Sequence, residues 1–128
     1  MAKFSMTKQK FTNQWLRHFA SDVPKKELEK YVTSEGNFLW HVFSWKLIPD
    51  GKYLSGDEAK RAYDEVDKNG AIYVDWFKGG FNCMTPEFDS AESLEEMIEV
   101  YVTAADFSWT YIKTHEDMCG PYFMKTSD

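Results

Sequence analysis

The stretch DFSWTYIKTHEDMCGPYF, Asp106 to Phe123, decides how this chain is read. From Phe107 onward apolar and polar residues alternate. Phe107, Trp109 and Tyr111 fall on one side of an extended chain, and Ser108, Thr110 and Ile112 on the other. Gly120-Pro121 then turns the chain, so that Tyr122 to Lys125 returns as a final strand. Upstream, AIYVDWF (Ala71 to Phe77) follows the Lys68-Asn69-Gly70 turn and reads as another strand. Its faces are Ile72, Val74 and Trp76 against Tyr73, Asp75 and Phe77, and Gly79-Gly80 stops it.

Helical signals dominate the first half. Phe11, Trp15, Leu16 and Phe19 recur at helical spacing and predict a helix from about Thr7 to Ala20. Asp22 is placed to cap a second helix with Pro24 in its first turn and Leu28, Tyr31 and Val32 on its buried face; Gly36-Asn37 ends it. The apolar run Phe38 to Ile48 suits a buried strand or a short buried helix, and its Val, Phe and Trp content before Pro49-Asp50-Gly51 favours a strand. Ser55 and Glu58 have the spacing of a capping box ahead of Ala59, Ala62, Tyr63 and Val66, which predicts a third helix. Asp89 and Glu92 repeat that pattern before Leu94, Met97, Ile98 and Tyr101, a fourth helix unless Val100 to Val102 opens a strand. With no repeat, linker or low-complexity segment, residues 1–128 read as a single α+β domain: an antiparallel sheet with about four helices, the N-terminal half mainly helical.

A second aromatic tract, FLWHVFSW from Phe38 to Trp45, accompanies the C-terminal one. Phe38, Trp40, His41, Phe43, Ser44 and Trp45 match a pattern, as do Asp106, Phe107, Trp109, Thr110, Tyr111, Lys113, Thr114, His115, Glu116, Gly120, Pro121, Tyr122 and Phe123. Together they resemble the signature of a family of small, uncharacterised bacterial proteins known only as a domain of unknown function. The resemblance is close over about a quarter of the chain. It implies a shared fold and brings no catalytic residues with it.

Composition narrows the function. Hydrophobic residues at 43%, charged residues at 28% and a mean hydropathy of -0.55 describe a globular protein with no membrane span. MAKFSMTKQKF lacks the apolar core of a signal peptide, and Cys83 and Cys119 make no disulfide framework, so a cytoplasmic protein with reduced thiols is expected. A net charge of -6 disfavours nucleic acid, whose phosphates call for Lys and Arg, and favours a basic protein as partner.

Candidate chemistry is sparse. His115, Glu116 and Cys119 would be a base, an orienting carboxylate and a nucleophile in a small hydrolase. The plainer reading is that His115 and Glu116 satisfy backbone groups at a strand end while Cys119 packs as a small apolar residue. His41, Cys83, His115 and Cys119 have the types and number for a tetrahedral metal site, but no CxxC or HxxxH spacing holds two of them together. Glu92, Glu95, Glu96 and Glu99 are expected along the solvated face of one helix. No phosphate-binding loop, dinucleotide fingerprint, GxSxG or HExxH occurs, so no cofactor is implied and an enzyme is the less favoured reading.

Aromatic residues make 17% of the chain, more than so small a core readily hides. Trp40, His41, Trp45, Trp76, Phe81, Trp109, Tyr111 and Tyr122 are therefore candidate binding residues, with Phe77 to Phe88 as the contact loop. The leading expectation is a small acidic protein that binds another protein, in its most concrete form an immunity-type inhibitor of a basic toxin or nuclease domain. The alternatives are the hydrolase or metal-dependent enzyme above, and a small-molecule-binding module with an aromatic cleft near His41 and Trp109.

Overall fold

The computed structural model describes residues 8–21, 23–30, 41–44, 47–48, 51–67, 71–75, 80–82, 90–94, 99–104, 106–114 and 121–126. Helix α1 spans Lys8–Phe19, with single helical turns α2 at Lys25–Leu28 and α3 at His41–Ser44. Strand β1 (Leu54–Ser55) leads directly into helix α4 (Gly56–Glu65). Strands β2 (Ile72–Asp75), β3 (Gly80–Asn82), β4 (Val100–Thr103), β5 (Trp109–Lys113) and β6 (Tyr122–Lys125) follow, with a 3-10 turn at Glu92–Leu94. The strands form one antiparallel sheet in the order β1-β6-β5-β4-β2-β3. The architecture is thus α+β with an antiparallel sheet.

Both faces of this sheet are covered, which explains why β4 is buried throughout and β5 up to Lys113. Toward α1 point Ile72, Val74, Tyr101, Ile112 and Tyr122, and they meet Phe11, Trp15 and Phe19 on one stripe of that helix. Toward α4 point Tyr73, Val100, Val102, Trp109, Tyr111 and Phe123, and they meet Ala59 and Tyr63. Register enforces this division: Tyr101 lies opposite Ile112, and Tyr111 lies between Val102 and Phe123. Aromatic rings fill the α4 side, with Tyr63 stacked on Tyr111 at 4.4 Å and Trp109 stacked on Phe123 at 5.9 Å.

Several expectations are corrected. The described part of the apolar run 38–48 contains a helical turn, His41–Ser44, where a strand was favoured; Val42 and Phe43 are buried against α1 and Tyr53. Of the two readings of the segment after Asp89, the strand at Val100 to Val102 is the one found: Glu92–Leu94 forms a 3-10 turn, residues 95–98 lie outside the described residues, and the β-branched Val100, Val102 and Thr103 complete the sheet between β2 and β5. Among the described residues only α1 and α4 run beyond one or two turns, so the count of about four helices is not matched. Glu99 is fully buried at the start of β4 rather than on a solvated face, whereas Glu92 is exposed; Glu95 and Glu96 lie outside the described residues.

Local details differ as well. Pro24 is the residue before α2 rather than within it, and Leu28 is half-buried; Asp22, Tyr31 and Val32 lie outside the described residues. Ser55 precedes α4 but forms no side-chain cap, and its extended backbone pairs with Tyr122 in β1. Gly80 also opens a strand of its own, β3, and pairs with Asp75. Phe107 leaves the side predicted for it, since its backbone is left-handed at φ 60 and its ring packs with Phe11 on the α1 side while Trp109 faces α4. No helix among the described residues is long and apolar enough to cross a membrane.

Candidate functional site

Of the sequence-predicted binding, catalytic and metal candidates, only Trp109, Tyr111 and Tyr122 are described with their side chains. Trp109, Tyr111 and Tyr122 are 5%, 1% and 7% exposed, so they are core residues and offer no face to a partner. Their rings fill space between sheet and helices that a chain with few Leu and Val must otherwise leave empty. Phe81 is paired with Val74 in β3, and His41 opens α3. Trp40, Trp45, Trp76, Cys83, His115, Glu116 and Cys119 lie outside the described residues, as does most of the Phe77 to Phe88 loop. Among the described residues Leu54 is the one exposed large hydrophobic side chain.

A different site emerges on the α1 side of the sheet. A cleft of about 450 Å³ opens between the C-terminal end of α1, residues 47–52 and the end of β6. Its volume falls within the roughly 300–1,000 Å³ of ligand pockets. Phe19, Val23, Leu47, Ile48 and Met124 give it an apolar floor, and His18, Ser21, Lys52 and Thr126 give it a polar rim. Each wall follows from local structure. Helix α1 ends as the Val23 N–H donates to the Ala20 carbonyl at 3.1 Å just before Pro24, which presents Phe19 and Val23 inward. Met124 alternates onto the α1 side with Tyr122. Gly51, at φ +95, turns the intervening chain through a conformation that a side chain would strain.

The rim is held by a small set of strained and polar contacts. Between β4 and β5, the Phe107 N–H donates to the Ala104 carbonyl at 2.8 Å and its left-handed backbone swings the ring beneath His18. The two rings stack at 5.1 Å and 17°. A bulky residue at positive φ persists only where its surroundings over-determine it, and here the burial of Phe107 against Phe11 and His18 does so. Asp106 sits beside them, exposed. Its carboxylate accepts the Ser108 N–H at 3.0 Å, and hydrogen bonds from Ser108, assisted weakly by the His18 charge, hold its pKa below 3.8. No ion pair engages Lys52 among the described residues.

Charge is divided between the two helical layers. Lys10, Arg17, Lys25, Lys26 and Lys30 are exposed on the α1–α2 layer against exposed Glu29 and half-buried Glu27. On α4 and its exit the exposed Asp57, Glu58, Asp64, Glu65 and Asp67 outnumber Arg61 and half-buried Lys60. Asp64 also ties the layer together by accepting the Ala91 N–H at 2.7 Å.

None of the cleft residues was a candidate from sequence. His18 and Lys52 carry no motif, and only Gly51 in its Pro-Asp-Gly turn marked where the chain bends. No curated protein and no solved structure matches the chain. A family model does match residues 1–123, and the chain belongs to that family, described as a domain of unknown function (DUF4275).

Proposed function

We propose that the protein is a small, non-catalytic binding protein of the cytoplasm, and that the cleft beside α1 is where it holds its ligand. One observation carries this reading: a ligand-sized hollow joins an apolar floor to a polar rim, on a protein whose candidates Trp109, Tyr111 and Tyr122 are consumed by the core. Such a hollow can desolvate an apolar group while leaving polar partners for whatever is attached to it. A thermal-shift screen against mixed small molecules and short peptides tests it. A ligand at a hundred times its Kd stabilises the fold by about 2.7 kcal/mol, and Ser21→Trp, which crowds the rim from an exposed position, should abolish the shift. Equal shifts in parent and Ser21→Trp would place binding elsewhere.

The divided charge supports a second reading, in which the acidic α4 layer docks a basic protein as an immunity-type inhibitor docks a toxin or nuclease domain. Under it, Asp57, Glu58, Asp64 and Glu65 steer association. Co-expression with a basic toxin encoded beside the gene should restore growth, and Glu58→Lys with Glu65→Lys should remove the rescue. Rescue unaffected by that charge reversal would end this reading.

A further inference from the structure

Strand β1 stops while β6 continues, and this mismatch leaves part of β6 without a strand partner among the described residues, at the cleft. Leu54 pairs with Phe123 and Ser55 with Tyr122, and the Gly56 N–H donates to the Pro121 carbonyl at 3.0 Å. Carried one step back, the same register would set residue 52 against Lys125. The chain turns and bends at residues 51–53, which belong to no strand, although Tyr53 keeps its ring on the α1 side against Phe43 and Tyr122.

The direction of the Lys125 backbone follows from its neighbours. In an antiparallel ladder successive residues send their N–H and C=O to opposite sides. The Thr126 N–H donates to the Ser108 carbonyl at 3.0 Å, and the Ala104 N–H donates to the Trp109 carbonyl at 3.0 Å. Met124 and Thr126 therefore bond toward β5, whereas Lys125, opposite Trp109, sends its N–H and C=O away from β5. They point to the position β1 has vacated, and Lys125 lines the cleft there. No hydrogen bond from another described residue occupies them.

We infer that the cleft takes an extended peptide by strand addition, one residue of the peptide exchanging both backbone hydrogen bonds with Lys125. The inference rests on the cleft being the ligand site. Backbone pairing gives the affinity, and alternation of the added strand sends a neighbouring side chain toward α1. That side chain lands on Val23, Leu47, Ile48 and Met124, so a large aliphatic residue is the one selected. An unpaired edge of this kind otherwise invites association with any exposed strand, and its seclusion in a cleft restricts it to a segment narrow enough to enter.

The test uses the full chain and the blocked peptide acetyl-Thr-Val-Leu-Val-Thr-amide, with analogues N-methylated at each of its three central residues in turn, read by amide NMR titration. The unmodified peptide should shift the amides of Lys52 and Met124 to Thr126 and slow exchange at Lys125. At least one N-methylated analogue should bind about tenfold or more weakly, the loss expected for one or two backbone hydrogen bonds. Lys125→Pro removes the outward N–H without touching the bonds to β5 and should weaken binding similarly, while Lys125→Ala keeps it. Equal binding by the parent and all three analogues overturns strand addition but leaves the cleft as a site. Shifts at the cleft from small apolar molecules and none from the peptide overturn the peptide as ligand. Silence at the cleft from both overturns the site itself.

Discussion

The indole N–H of Trp15 donates to Thr110 Oγ1 at 3.0 Å, joining α1 to β5 across 95 residues of sequence. Thr110 Oγ1 in turn lies 2.9 Å from Thr103 Oγ1 and 3.4 Å from the Val102 carbonyl. Every atom of this relay is buried, so each polar group depends on the next. The relay fixes how α1 sits on the sheet, and with it the position of Phe19 and Val23 in the cleft wall.

Thr110→Val keeps the shape of the side chain and removes its oxygen, leaving a buried indole donor without an acceptor. Urea unfolding should show a loss of about 1–3 kcal/mol. Thr110→Ser, which retains the hydroxyl, should lose less. Equal losses from the two would mean that volume, rather than the hydrogen bond, matters at this position.

At Phe107 the ring stabilises and the backbone opposes. Phe107→Ala loses the ring while keeping a side chain at positive φ, whereas Phe107→Gly loses the ring and relieves the backbone. The glycine variant should therefore be the more stable of the two by about 1 kcal/mol, against the usual order in ordered structure. Thermal unfolding of both checks the sign.

Asp106 makes a pH-dependent contribution whose direction is set by its lowered pKa. Ser108 and, weakly, His18 favour the carboxylate in the folded chain. The resulting stabilisation is present above the unfolded value and is lost as pH falls through the folded one, below 3.8. Exposure to solvent keeps it small. Carboxyl NMR titration should place the Asp106 midpoint below 3.8, and Ser108→Ala should raise it toward that value.

The start of α4 separates what the sequence disclosed from what it hid. The Ser55–Glu58 spacing located the helix correctly, yet the Ser55 side chain does not cap it, and the residue serves instead as the end of a two-residue strand opposite Tyr122. Ser55→Ala should accordingly change stability by less than about 0.5 kcal/mol, below the usual cost of losing a cap. Gly56→Ala, at φ +62, should cost about 1–2 kcal/mol although nothing lies within 4 Å of its missing Cβ. Denaturant midpoints of the two variants test the contrast.

The same physics explains the rest of the comparison. Alternation in Ile72 to Val74 and Trp109 to Ile112 was legible because a strand buried on two faces still sends neighbours to different layers. Val42 and Phe43 misled because an apolar run carries no period that separates a buried helical turn from a strand. Trp109, Tyr111 and Tyr122 stand out as anchors on aromatic content alone, but a sheet covered on both faces has room to bury these three. The cleft was invisible for a further reason. It is built from His18, Ile48, Lys52 and Met124, which are ordinary residues until β1 ends early and Gly51 diverts the chain.

The central claim is that this cleft is the binding site, and mapping bound ligands by amide NMR tests it most directly. Hits from a mixed library of small molecules and peptides should perturb the amides of Phe19 to Ser21, Lys52 and Met124 to Thr126, and should lose that effect in Ser21→Trp. Hits whose perturbations gather instead around Asp57 to Glu65, or that bind Ser21→Trp as well as the parent, would contradict it.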